Sequence, residues 1–133
     1  MQRLTRRGFA ALAATTAAAA VLARPALAAS TPFTADAFRA AQAEGRTLIV
    51  EVWASWCPTC RAQTPIVESL VAEPKFAGAR VLRINYDVQR DAMRELNARS
   101  HATLIVFKGT EERGRATGIT APQDIRTLLE KGL

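Results

Sequence analysis

The residues of this chain best suited to sulfur chemistry are its only two cysteines, Cys57 and Cys60. Their spacing of three would place both side chains on one face of a helix, within reach of a single disulfide bond or a single metal ion. Such a pair can serve as a structural disulfide, a redox centre or part of a metal site. A disulfide that closes so short a loop constrains little of the unfolded chain, which argues against the structural role.

The proline between the cysteines, Pro58, indicates where a helix begins. Proline suits the first helical turn, because its missing N–H has no intrahelical partner there in any case. Cys57 would then lie at the helix N-terminus, where free N–H groups and the helix dipole favour a thiolate over a thiol. We therefore predict that Cys57 is the nucleophile and that Cys60, one turn deeper and less exposed, is the resolving thiol.

Alternating strand and helix patterns surround this pair. The run 47–53 is aliphatic and β-branched, as expected for a buried central strand, and a helix is predicted from Pro58 to about Val71. The order α-β-α-β-α-β-β-α predicts an α/β fold, with parallel βαβ units followed by a hairpin in one mixed sheet that has helices on both faces. After a lead-in at 30–33, the other predicted elements are helices at 35–44, 91–98 and about 120–131 and strands at 79–86, 103–107 and 113–118.

The first 28 residues have the composition of an export signal. Three early arginines precede a short alanine-rich apolar run, and the segment ends in an Ala-x-Ala pattern at 26–28. The apolar run is shorter than the ~20 residues that span a bilayer, so a membrane anchor is the weaker interpretation. The stretch 5–9 (TRRGF) resembles a twin-arginine signal, with an ordinary secretory signal as the alternative. We expect a bacterial protein cleaved after Ala28, with one soluble periplasmic domain at 29–133 and no stable membrane insertion.

Much of the positive charge of the chain comes from residues 1–28. The full chain has 18 basic and 12 acidic residues, for a net charge of +6. Removal of residues 1–28 leaves 14 basic residues against the same 12 acidic ones, for a net charge of +2. No basic cluster interleaved with aromatic residues remains, so we expect no nucleic-acid binding.

The cysteine pair and the elements around it resemble the thioredoxin family. Residues 51–60 (EVWASWCPTC) are similar to the family's strand and active-site segment at both tryptophans, the alanine and both cysteines. The similarity continues through Pro65 inside the helix, the strands at 83–87 and 103–108, and Gly118. A lone CxxC is weak evidence, but Trp-Cys-x-x-Cys after an apolar strand in this element order is strong. The resemblance implies a thioredoxin-like fold with four or five strands and a thiol-disulfide oxidoreductase without an organic cofactor.

The resemblance also implies roles for residues near the cysteines. The Cys57 thiolate attacks a protein disulfide and Cys60 then releases the reduced substrate, while the reverse cycle oxidises a dithiol. Glu51 stands where the family has a buried acid that exchanges a proton with Cys60, and burial raises the pKa of such a carboxyl. Arg83 stands where the family often has a lysine that sets the charge of this acid. The alternative for Glu51 is a solvated carboxylate at a strand edge, and the alternative for Arg83 is a surface arginine. The implied substrate-contacting positions are Trp56, Pro58, His101 and Ala102.

One position departs from the family pattern. The family has a cis-proline directly before the strand at 103–107, packed against the cysteines, whereas this chain has Ala102, preceded by its only histidine, His101. A cis bond before alanine costs about 2.5–4 kcal/mol, so this bond is predicted trans and the substrate loop reshaped. His101 would then end beside the cysteines. It either tunes their redox chemistry or, in the alternative, completes a metal-binding or copper-delivery site with Cys57 and Cys60.

The expected direction of the reaction is reductive. The chain has no room for the inserted helical domain of the family's dedicated oxidants or for the dimerisation domain of its isomerases. We therefore expect a monomeric reductant of protein disulfides. Because a reductant in an oxidising compartment needs electrons, a membrane thiol-transfer donor is an expected partner.

Overall fold

The computed structural model describes residues 29–133, and these form a five-stranded mixed sheet with helices on both faces. The predicted α/β class, with one mixed sheet and helices on both faces, is confirmed. The predicted export signal at 1–28 lies outside the described residues. In chain order the elements are β1 (Thr31–Pro32), α1 (Ala35–Ala43), β2 (Thr47–Trp53), α2 (Pro58–Val71), a 3-10 turn (Pro74–Phe76), β3 (Arg80–Asn85), α3 (Arg90–Glu95), β4 (Thr103–Lys108), β5 (Glu111–Thr117) and α4 (Pro122–Glu130).

The sheet is centred on β2 and has the order β1-β3-β2-β4-β5. β2 runs parallel to β3, and β4 runs antiparallel to β2 and β5. The connection β3–α3–β4 is therefore not the second parallel unit that the element order predicted. With six residues, α3 is about 9 Å long and does not carry the chain back across the sheet, so β4 starts at the edge where β3 ends.

Alternating residues of β2 belong to two separate cores, since successive side chains of a strand point to opposite faces. Leu48, Val50 and Val52 pack in the first core with α1 and α3, whereas Ile49 packs in the second with α2 and α4. Glu51 follows Ile49 by two residues and therefore lies on the α2 side of the sheet. The α-helix residues that these cores bury are Phe38, Ala41 and Met93 on one face and Val67, Leu70, Val71, Ile125, Leu128 and Leu129 on the other.

Local sequence signals account for where α1 and α2 begin. Thr34 caps α1, because its side chain accepts a hydrogen bond from the Ala37 N–H at 3.0 Å. Helix α2 begins at Pro58, as predicted, and continues through Pro65 to Val71. None of the helices in residues 29–133 combines the length and the hydrophobicity needed to cross a bilayer.

Candidate active site

The cysteine pair lies where the chain leaves β2 and enters α2. Cys57 and Cys60 form a disulfide, with their Cα atoms 5.3 Å apart. Cys57 is the N-cap residue, with an extended backbone, and its Sγ accepts a hydrogen bond from the Cys60 backbone N–H at 3.1 Å. Pro58 takes the first helical position. A backbone N–H of the first turn thus points at the Cys57 sulfur, an arrangement that favours a thiolate once the disulfide is reduced.

Both cysteines are buried, which corrects the predicted difference in exposure between them. Cys57 is 0% exposed and Cys60 is 2% exposed, and both belong to a small apolar cluster with Ala54 and Ala102. An N-cap side chain is ordinarily open to solvent. Here the imidazole of His101 lies against Cys57, with Nδ1 3.2 Å from Sγ. The cover comes from a distant loop, so the local pattern around the cysteines gave no sign of it.

Glu51 and Arg83 form a largely buried ion pair on neighbouring strands. They are register partners on β2 and β3, and the guanidinium donates to Glu51 Oε2 from Nε at 3.1 Å and from Nη2 at 2.9 Å. Burial raises the pKa of the Glu51 carboxyl, and the charge and hydrogen bonds of Arg83 oppose this shift. Glu51 is therefore a buried acid on the central strand, and Arg83 is its partner rather than an isolated surface arginine.

A residue that the sequence analysis missed links this ion pair to the cysteines. Arg83 Nη2 also lies 3.4 Å from the Thr64 hydroxyl, and that hydroxyl donates to the Cys60 carbonyl at 3.0 Å. Among the described residues no hydrogen bond joins Glu51 to Cys60 directly. Thr64 lies four residues after Cys60 in α2, and that helical spacing was the signal that could have identified it.

An aromatic cluster holds His101 against the disulfide. Its ring meets Trp56 edge-on at a centroid distance of 4.9 Å and Tyr86 at 5.4 Å. The indole Nε1 of Trp56 donates to both carboxylate oxygens of Asp87 at 3.1 Å, although Trp56 is 51% exposed. Tyr86 and Asp87 were also missed. They follow β3 directly, and the carboxyl ends of neighbouring parallel strands meet at one edge of a sheet, as β2 and β3 do here.

Ala102 adopts a backbone conformation that proline cannot adopt. Its φ is +55°, in the left-handed region, and the described residues contain no cis peptide bond. The Ala102 N–H donates to the Val52 carbonyl at 2.8 Å, and its own carbonyl accepts from the Gly118 N–H at 2.9 Å and from Gln63 Nε2 at 3.2 Å. The loop before β4 is therefore fixed by three hydrogen bonds, one of them through an N–H that proline lacks.

A family model described as thioredoxin matches residues 29–131. The chain belongs to the thioredoxin family. With the disulfide at the N-terminus of α2, it is a thiol-disulfide oxidoreductase of the thioredoxin type, and Cys57 and Cys60 are its active-site pair.

Known proteins align with about two thirds to three quarters of this chain. The chloroplast thioredoxin M4 of Arabidopsis thaliana is 33% identical over 87 residues, which are 65% of this chain and 44% of that protein. The thioredoxin of Rickettsia felis is 28% identical over 86 residues, which are 65% of this chain and 81% of that protein. The crystal structure of Trxlp from Edwardsiella tarda has a TM-score of 0.72 at 34% identity, and the match covers 74% of this chain and 95% of that chain. The chain thus spans less than half of its chloroplast relative and most of the bacterial ones.

His101 gives this thioredoxin-type site a third group that can bind a soft metal ion. The ligand atoms of Cys57, Cys60 and His101 all lie within 4.8 Å of one another. In the disulfide cycle the two sulfurs exchange electrons, while an imidazole nitrogen can accept or donate a proton. Once the disulfide is reduced, the same three atoms are close enough to be ligands of one ion.

Proposed function

We propose that this protein is a periplasmic reductant of protein disulfides in which Cys57 attacks and Cys60 resolves. The observation that carries the order of attack is the different surroundings of the two sulfurs. Cys57 Sγ accepts a backbone N–H, which stabilises negative charge, whereas Cys60 Sγ lies 3.9 Å from the carbonyl oxygen of Val52, which does not. Cys57 is therefore the sulfur that carries the thiolate in the reduced protein.

The cycle consists of two exchanges. The Cys57 thiolate attacks one sulfur of a substrate disulfide, forms a mixed disulfide and expels the other substrate sulfur as a thiolate. The Cys60 thiolate then attacks Cys57 Sγ, expels the second substrate thiolate and closes the Cys57–Cys60 disulfide. The substrate gains two electrons and, on protonation of its sulfurs, two protons. The protein loses the same two electrons from its cysteines.

We assign Glu51 the role of proton acceptor for Cys60. The Cys60 thiol must lose its proton before it attacks Cys57 Sγ. The carboxyl lies on the α2 side of β2, and Arg83 and Thr64 connect it to the backbone of Cys60. A raised pKa brings a buried carboxyl towards the range in which it both accepts and returns a proton near neutral pH. Arg83 limits the rise in the pKa of Glu51, because the positive charge of the guanidinium favours the carboxylate.

The architecture of the described residues supports the reductive direction. Within residues 29–133, no two consecutive strands are separated by more than one α-helix, so there is no counterpart of the inserted helical domain that the family's dedicated oxidants carry. The signal-like composition of residues 1–28 supports a periplasmic location, and a reductant in that compartment requires a membrane thiol-transfer donor to reduce it again.

One contact favours an oxidant as the second candidate. An imidazole 3.2 Å from Cys57 Sγ stabilises the reduced, thiolate form, and stabilisation of the reduced form makes a disulfide more oxidising. The reduction potential separates the two candidates. A value near about −270 mV supports the reductant and one near about −120 mV the oxidant.

Trapping of substrates tests the order of attack. Expression of Cys60→Ser should accumulate mixed disulfides between Cys57 and substrate proteins, because the resolving thiol is absent. Cys57→Ser is the matched control and should accumulate none. Mass spectrometry of the trapped species in periplasmic and cytoplasmic fractions gives the partners and the location together. Trapping by Cys57→Ser alone would reverse the assigned roles, and trapping only of cytoplasmic proteins would contradict the location.

A further inference from the structure

We propose that the reduced active site also binds one soft, thiophilic metal ion, Cu(I) in preference to Zn(II), through Cys57 Sγ, Cys60 Sγ and His101 Nδ1. The proposal goes beyond disulfide exchange and does not depend on its direction. These residues are the chain's only two cysteines and its only histidine. Their ligand atoms come together within 4.8 Å, although His101 is 41 positions further along the chain than Cys60. Thiolate and imidazole are the ligands that soft and borderline metal ions prefer.

The distances suit a single ion with small adjustments. For the bond lengths known for zinc, about 2.3 Å to sulfur and about 2.0–2.1 Å to nitrogen, ligating sulfur and nitrogen atoms lie about 3.6–3.8 Å apart, and we take these as a guide for a soft ion of similar size. Cys57 Sγ and His101 Nδ1 are 3.2 Å apart in the disulfide form. Once the disulfide is reduced, the two sulfurs separate to the span that a shared ion needs, and the Cα distance of 5.3 Å permits this by side-chain rotation alone.

The third ligand is held in place before any metal arrives. Edge contacts with Trp56 and Tyr86 fix the His101 ring from two sides. The hydrogen bond from the Ala102 N–H to the Val52 carbonyl fixes the backbone directly after it. Such preorganisation favours binding, since little freedom of the ligand is left to lose. The methyl group of Ala102 packs in the same buried cluster as the two sulfurs, and this apolar wall excludes competing water.

The number of ligands favours Cu(I) over Zn(II). Zinc in structural sites is almost always bound by four protein ligands. Cu(I) accepts two or three soft ligands, and thiolates select it. No carboxylate of residues 29–133 belongs to the cluster, and the chain has no further cysteine or histidine. The site therefore offers three donors, two soft thiolates and one imidazole nitrogen, a number that is complete for Cu(I) and one short for zinc.

The redox state of the cysteines controls the site. The Cys57–Cys60 disulfide ties both sulfurs to each other, so neither is available as a thiolate ligand. Binding transfers no electrons. Any proton that remains on the reduced pair, chiefly the one on Cys60, is released to solvent as the ion binds. Because the ion binds only the reduced form, it stabilises that form and shields Cys57 from substrates. Disulfide exchange and metal binding are therefore mutually exclusive states of one site.

The test is an anaerobic titration of reduced full-length protein with Cu(I) in the presence of a competing chromophoric Cu(I) chelator, with a parallel titration with Zn(II). We expect one Cu(I) per chain and an affinity at least tenfold higher than that of His101→Gln, which keeps a polar side chain but lacks a soft nitrogen. His101→Cys supplies a third thiolate and should restore the affinity. Oxidised wild type is the matched control and should not compete with the chelator.

Three outcomes overturn the proposal. Equal Cu(I) affinity of wild type and His101→Gln, with both folded by tryptophan fluorescence, would show that the two thiols act without the imidazole. Tighter binding of Zn(II) than of Cu(I) would overturn the choice of metal. X-ray absorption at the copper edge gives an independent measurement of the ligand set. Two sulfurs and one nitrogen around each copper support the site, and sulfur alone contradicts it.

Discussion

Two turns meet at the disulfide, and they depend on different physical rules. The turn at 54–57 joins β2 to α2, and helix capping determines its geometry, with Cys57 as the cap and Pro58 as the first helical residue. The turn at 96–102 joins α3 to β4. There Ala102 lies in the left-handed region and depends on hydrogen bonds to Val52, Gln63 and Gly118. The first turn positions the nucleophile by local chemistry, while the second positions His101 by contacts made across the fold.

This difference separates the part of the site that disulfide exchange requires from the part that is added to it. The capped turn supplies what disulfide exchange requires, namely a sulfur at a helix N-terminus with a second sulfur one turn away. The loop with His101 adds a cover over Cys57 and a third donor atom. Changes in the first turn should therefore abolish the reaction, whereas changes in the second should alter stability, potential and metal binding.

The largest expected effect belongs to the capped turn. Cys57→Ser should lower the turnover of a protein-disulfide substrate such as insulin by a factor of about 10³ or more, because the hydroxyl is not a nucleophile towards disulfides under these conditions. Cys60→Ser is the matched control. It should still form one mixed disulfide per chain, seen by intact-mass analysis. Turnover by Cys57→Ser within tenfold of wild type would show that another group attacks.

Changes in the turn at 96–102 should mainly affect the free energy of unfolding. Ala102→Pro should lower the free energy of unfolding by more than about 3 kcal/mol, because proline holds φ near −65° and cannot donate to Val52. Ala102→Gly is the control. Relief of left-handed strain, roughly 1–2 kcal/mol, offsets the lost buried methyl group and the added chain entropy, so we expect a change within about 1 kcal/mol. Urea unfolding measures both. A Pro variant as stable as wild type would contradict the loop geometry.

Glu51 should give stability a pH dependence of unusual sign. Its folded-state pKa is raised from the usual value of 4.5, so the folded protein keeps a proton that the unfolded chain releases. The stabilisation is complete below pH 4.5 and is lost as the pH rises through the folded-state pKa, by up to about 1.4 kcal/mol per pH unit. Glu51→Gln should remove this decline, as measured by urea unfolding between pH 4 and about 8.

An exposed pair provides the matched control for Glu51. Arg80 lowers the pKa of Glu44, mainly by a hydrogen bond, so the contribution of Glu44 is present above pH 4.5 and is lost as the pH falls. Glu44→Gln should therefore change the pH profile in the opposite sense. The account of Glu51 is wrong if both variants change the profile in the same sense, or if neither differs from wild type.

The smallest effect is expected at the rim of the site. Trp56→Phe keeps an aromatic ring beside His101 but removes the indole N–H that donates to Asp87. We expect KM for a protein substrate to rise about threefold with little change in kcat, since an exposed hydrogen bond contributes about 0.5–1.5 kcal/mol. Steady-state kinetics measure the two constants separately. A large fall in kcat with unchanged KM would place Trp56 in the chemical step instead.

The sequence predicted the first turn more completely than the second for a physical reason. Capping residues, the N-terminal proline and the aliphatic run of β2 act over a few positions, so their pattern is visible in the chain itself. The buried cover over Cys57 and the role of Gln63 arise from contacts between residues 39 or more positions apart, and no local pattern records them. The predicted trans bond at Ala102 was correct, because it followed from the cost of a cis bond, but its left-handed φ was not foreseen.

The reduction potential of the Cys57–Cys60 pair decides whether the protein is a reductant or an oxidant of protein disulfides. It is measured by equilibration with glutathione or dithiothreitol buffers and quantification of the reduced fraction. The account predicts a wild-type value near about −270 mV and a more negative value for His101→Gln, since the variant loses the contact that stabilises the Cys57 thiolate. A wild-type value near about −120 mV would contradict the reductive function.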